Sequence, residues 1–204
     1  MLDLTIYNIL KNIWPMMFIF TVILSSIRIV YLFKNHEPFI LYKELMTLGF
    51  VIYVMCLFHV VTFQDVSWSS SNFIPFKEMF RYRAFSTMFY RNVAGNLLMF
   101  LPYGLFISYF LKLDKKRTIF LLSFIVSCTI ETTQLLIGRV FDVDDIILNV
   151  LGGILGYYLY RLVHLVKDHL PKFLKNQIFY NVVAITIVLF ILGYLYQLLE
   201  VGII

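Results

Sequence analysis

Ser127, Glu131 and Gln134 are the residues best placed to do chemistry, and they lie inside the otherwise hydrophobic run Thr118–Ile137. At 100° per residue, Ser127 sits about 40° and Gln134 about 60° from Glu131, so the three share one helix face. A carboxylate in a bilayer costs about 2.5–3.5 kcal/mol on insertion scales unless partners offset it. Glu131 therefore requires a polar neighbour from elsewhere in the chain.

Two further stripes lie at the same expected depth. Asn92 and Asn96 fall on one face at the start of a hydrophobic segment, with Met99 and Tyr103. Asp145 and Asn149 share a face with Gly152 and Gly156 on another, just after the run Gly138-Arg139-Val140-Phe141-Asp142-Val143-Asp144-Asp145. Small residues four apart let two helices approach closely, which would bring Asn149 against a neighbour. Asp142 or Asp144 can cap the following helix. Asn92, Asn96, Ser127, Glu131, Gln134, Arg139, Asp142, Asp145 and Asn149 thus form one candidate polar ligand-binding cluster. A cluster that only fixes helix register is the alternative. No metal site is expected, because no complete ligand set is visible, and no cofactor is implied.

The elements that position these residues are set by composition. The chain has 204 residues, 61% hydrophobic and 14% charged, with a mean hydropathy of +0.84. That is more apolar surface than a soluble domain of this size can bury, so the fold class is all-α integral membrane. Six segments reach the length needed to cross a bilayer: Ile13–Phe33, Leu45–Phe63, Asn92–Leu111, Thr118–Ile137, Asp145–Val166 and Phe179–Leu199. Their continuous apolar character excludes the alternation of an outer-membrane barrel. The first run is too long, and lacks a small-x-small site after it, to be a cleaved leader.

Lys and Arg give an orientation. Ten fall on the side of the 34–44 connection and six on the other, with Arg28 inside the first span. That places both termini outside the cell. Arg28 is expected to snorkel to lipid phosphate. The four histidines are expected near span ends, and Cys56 and Cys128 as small interior side chains. The net charge of +5 reflects topology, and no nucleic-acid-binding motif accompanies it.

One connection, residues 64–91, is long. Phe73-Ile74-Pro75-Phe76 is followed by Phe80, Tyr82, Phe85, Phe89 and Tyr90 alternating with Lys77, Arg81, Arg83 and Arg91. Aromatics mixed with cations suit a segment lying along the headgroup layer, as a plain anchor or as a cover over a groove.

Asn72-Phe73-Ile74-Pro75-Phe76 followed by Asn92-x-x-x-Asn96-x-x-x-Phe100-x-Pro102-x-Gly104 resembles the first half of the VanZ family signature. Ser127-x-x-x-Glu131-x-x-Gln134, then Asp142-x-Asp144-Asp145-x-x-x-Asn149-x-x-Gly152-Gly153-x-x-Gly156, resembles the second half. The resemblance spans residues of about 45–200. It divides the chain into an additional N-terminal transmembrane helix, 1–40, and a VanZ-like membrane domain, 41–204. It implies a multi-pass bacterial cell-membrane protein linked to low-level resistance to the lipoglycopeptide teicoplanin. It assigns no catalytic residues.

Three functional classes follow. The first is a non-enzymatic protein that binds membrane lipids, a lipoglycopeptide or a lipid-linked cell-wall intermediate at the polar cluster. The second is an enzyme acting on a lipid-linked phosphate or headgroup, with Glu131 as base and the 142–145 acids handling a cation or a proton. The third is a lipid or small-molecule transporter, which would need a polar file through the whole membrane.

Overall fold

The computed structural model describes residues 2–63, 71–77, 79–81, 86 and 89–201. Within them the regular secondary structure is helical, with a single isolated bridge between Asn72 and Asp142. Six helices are long and apolar enough to cross a membrane: α1 (Leu2–Asn35), α2 (Leu41–Phe63), α3 (Gly95–Leu111), α4 (Lys116–Leu136), α5 (Val143–His169) and α6 (Gln177–Val201). A π-helical segment, Tyr90–Ala94, leads into α3, and a 3-10 turn, Lys172–Lys175, precedes α6. All six expected spans are present.

The chain forms two compact units, residues 1–60 with 170–204 and residues 61–169. In the first, α1 and α6 keep most of their described apolar side chains exposed, whereas those of α2 are mostly half-buried. Arg28 on α1 pairs with a carboxylate of the neighbouring helix. Its Nε and Nη2 donate to the two carboxylate oxygens of Glu44 on α2, at 2.9 and 3.0 Å. The fork geometry of guanidinium on carboxylate explains the preference. α2 and α6 meet where Asn181 Oδ1 accepts from the Tyr42 backbone N–H at 3.1 Å and the rings of Tyr42 and Tyr180 lie 5.5 Å apart.

The second unit is a bundle of α3, α4 and α5 running up, down and up. Glycines set how closely α3 and α5 approach. A Cβ at Gly152 would strike the Leu97 carbonyl, one at Gly156 the Leu101 carbonyl, and one at Gly104 the backbone of Gly153. Backbone therefore meets backbone along this seam, as small residues four apart allow. α4 lies alongside through a face of Ile119, Ser123, Ser127 and Glu131, all buried and each four residues from the next. Ser123 fits because Gly153 has no side chain to oppose its hydroxyl. Gly138 takes φ +83°, a left-handed conformation that suits glycine, and turns the chain from α4 into the acidic run that opens α5.

Candidate functional site

The start of α3, the end of α4 and the start of α5 come together at one end of this bundle, here termed its acidic end. Asn96 on α3 donates to Asp145 Oδ1 on α5. Asn149 on α5 donates to Ser127 Oγ on α4 at 2.9 Å, deep between the helices. The three polar stripes are thus joined side chain to side chain.

Glu131 is only 2% exposed, yet neither asparagine holds it. Its Oε2 accepts the backbone N–H of Asp142 at 2.9 Å. With the Gln134 amide turned to satisfy both neighbours, its NH2 donates to Glu131 Oε1 and its carbonyl accepts from Arg139, each at 3.1 Å. Arg139 also donates to the Val61 carbonyl at the end of α2. The arginine therefore reaches the acid through Gln134, which spares a direct buried ion pair its desolvation cost.

Asp142 is the N-cap of α5. Its Oδ1 accepts the Asp144 N–H at 2.9 Å, the bond an aspartate just before the first helical turn is suited to make. The same oxygen takes Asn72 Nδ2, also at 2.9 Å. Backbone bonds flank this contact, from Asn72 N–H to the Phe141 carbonyl at 2.8 Å and from Val143 N–H to the Asn72 carbonyl at 3.1 Å. Phe73 stacks on Phe141 with ring centroids 5.3 Å apart. Asp144, 1% exposed, accepts the N–H groups of Phe76 and, at 3.0 Å, of Met79. Residues 71–77 and Met79 are thereby strapped across the acidic end, largely through their backbone.

The described residues of the strap form a bridge, a bend and turns within the long connection between α2 and α3. Phe73, Ile74, Pro75, Phe76, Lys77, Phe80 and Arg81 point outward and are exposed, so an apolar and basic surface borders the cluster. Tyr82, Arg83 and Phe85, and the side chain of Arg91, lie outside the described residues.

Asn92 is half-buried in the π-helical segment and joins none of these bonds among the described residues. Ser127, Glu131 and Asn149 are buried in the interior, while Asn96, Gln134, Arg139, Asp142 and Asp145 form a half-buried rim. Sequence reasoning missed Asn72 and Asp144 as members of the site. The strap's Asn and the i, i+2 spacing of Asp142 and Asp144, suited to a cap and a loop clamp, were the available signals. Among the described residues no three His, Cys, Asp or Glu side chains are grouped so that they could share a metal ion.

Every residue in this hydrogen-bonded set falls within one stretch that matches a known family. The VanZ/LLP1 family model matches residues 50–164, more than half of the chain. The chain belongs to the VanZ/LLP1 family. No curated protein and no solved structure matches it. The matched stretch holds the strap, α3, α4 and most of α5, and leaves α1 and α6 outside. The VanZ-type part of the chain is thus close to its second compact unit.

Proposed function

We propose that this VanZ-family protein sits in the bacterial cell membrane with both termini outside and binds an amphipathic envelope ligand at its acidic end. Through that binding it confers low-level resistance to teicoplanin. The ligand is a membrane lipid, a lipid-linked cell-wall intermediate or the lipoglycopeptide itself. One observation carries this reading: polar groups of three neighbouring spans meet at one end of their bundle, and their half-buried rim lies beside an exposed apolar and basic strap. A headgroup would meet the rim residues Asn96, Gln134, Arg139, Asp142 and Asp145, while a tail would lie along the exposed aromatic side chains. Burial of Glu131 under Asp142 and Gln134 suits a fixed floor better than a mobile base. The glycine-to-backbone contacts of α3 and α5 fill the remainder of the seam, which weighs against a transport path.

The test is a susceptibility assay in a host lacking the gene, with protein level followed by immunoblot. Wild type should raise the inhibitory concentration of teicoplanin, and Asp145→Asn or Glu131→Gln at equal protein level should abolish the rise. Equal protection by all three would remove the acidic end from the function.

A further inference from the structure

The acidic end gathers four carboxyls, those of Glu131, Asp142, Asp144 and Asp145. Three of the four carboxyls are well supplied: Glu131 by the Asp142 N–H and Gln134, Asp142 by Asn72 and the Asp144 N–H, Asp144 by the N–H groups of Phe76 and Met79.

Asp145 differs. Among the described residues it receives one donor, Asn96, and it lies on the half-buried rim. One turn along the same face of α5 is Asn149, 1% exposed. Its amide nitrogen is engaged by Ser127, but its carbonyl oxygen has no partner. Residues four apart on a helix are neighbours, and a buried carbonyl without a donor lowers stability until one is supplied. A carboxylate with one donor beside an orphaned carbonyl calls for a group that brings several donors, positive charge and no acceptor. Among the described residues the acids do not group into a metal's ligand set. An ammonium group has three N–H donors and nothing to repel the carboxylates.

We propose that the acidic end takes the protonated amine of an amphiphile, with Asp145 as its counter-ion and the Asn149 carbonyl as its second acceptor. This rests on the ligand-binding reading above and gives the ligand's head its charge. An anionic head such as a phosphate monoester would be repelled by the Asp145 carboxylate that the ammonium would neutralise.

The test uses the full-length protein in nanodiscs of zwitterionic lipid. A long-chain alkylamine with a fluorophore at its tail is titrated in, and dodecylamine, dodecanol and dodecyl phosphate compete with it. Dodecylamine should compete at least tenfold more strongly than dodecyl phosphate. Asp145→Asn should weaken amine binding at least tenfold, and Asp145→Glu should restore most of it. Phosphate competing as well as amine, or amine binding indifferent to Asp145→Asn, overturns the proposal. A wild-type measurement covers the case in which Asp145→Asn does not fold. A photoreactive alkylamine should label peptides containing Asn96 or Asp145, and labelling confined to other peptides overturns the proposal equally. The two readings fail differently. If dodecanol or dodecyl phosphate binds with the same dependence on Asp145, the amine is wrong and the ligand site stands. If no headgroup depends on Asp145, both fall.

Discussion

α5 and α6 are spans of similar length that behave in opposite ways. α6 is the more apolar, with a mean hydropathy of 2.3 in its span, yet none of that window is buried within the protein. α5 reaches only 1.5, and 44% of its window is buried. Hydrophobicity therefore sets which segments enter the membrane, and something else sets which of them associate. In lipid, tails are as apolar as leucine, so apolar faces gain nothing by meeting each other. α5 carries Asp145, Asn149, Gly152, Gly153 and Gly156 where α6 carries branched and aromatic side chains around a solitary Gly193. Close backbone approach and polar pairing hold the one; the other faces outward.

The sharpest way to break this contrast is to place the same side chain at a glycine of each helix. Gly153→Leu drives a side chain into Ser123 on α4, whereas a Cβ at Gly193 meets nothing within 4 Å. Overpacking of this kind costs about 3 kcal/mol or more, comparable to much of a domain's net stability. Gly153→Leu should therefore abolish a monodisperse peak in size-exclusion chromatography, and Gly193→Leu should leave it intact. Equal behaviour of the two would remove glycine contact as the cause of association.

A second, smaller effect separates the strap from the helices it covers. Asp144 holds the N–H groups of Phe76 and Met79, and hydrogen bonds to a charged acceptor contribute about 1.5–3 kcal/mol each. Asp144→Ala should free the strap while the helical bundle persists. Trypsin should then cut at Lys77 and Arg81 at least about tenfold faster, with helical circular dichroism unchanged. Asn72→Ala removes one side-chain bond to Asp142 and should act in the same direction, more weakly.

The reach of the sequence follows from the same physics. All six spans were legible within a few residues because apolar length alone sets them; Thr118–Ile137, for instance, proved to be Lys116–Leu136. The approach of Asn149 to its neighbour was legible too, because Gly152 and Gly156 announce a close crossing. The partner of Glu131 was not. Besides Gln134 on its own helix, it is the backbone N–H of Asp142, and main-chain donors leave no trace in residue types. The strap joins Asn72 to Asp142 across 70 residues, a pairing no local pattern encodes. Glu44 escaped notice as the partner of Arg28 because the two meet only once α1 turns back on α2.

A third comparison sets a neutral buried pair against a charged exposed one. Ser127 and Asn149 are both at most 1% exposed, and their bond joins α4 to α5. A double-mutant cycle with Ser127→Ala and Asn149→Ala should give a coupling of about 0.6 kcal/mol, the average for interhelical hydrogen bonds in membranes. Removing either partner alone should cost about 1 kcal/mol or more, because the other is left buried and unpaired.

The smallest effect should come from Arg28 and Glu44, although a charged, two-pronged pair looks stronger on paper. The Arg28 side chain is 42% exposed, so solvent and salt screen its attraction, and holding two long side chains in place costs entropy. Exposed pairs of this kind couple by about 0.2–1 kcal/mol, with the exposure here favouring the lower half of that range. Arg28→Gln should therefore lower the unfolding midpoint in detergent less than Asn149→Ala does, and added salt should shrink the Arg28→Gln effect further while leaving that of Asn149→Ala unchanged. If the charged pair instead outweighs the serine–asparagine bond at every salt concentration, enclosure by protein is not what gives polar contacts their strength in this molecule, and the contrast between its two units needs another cause.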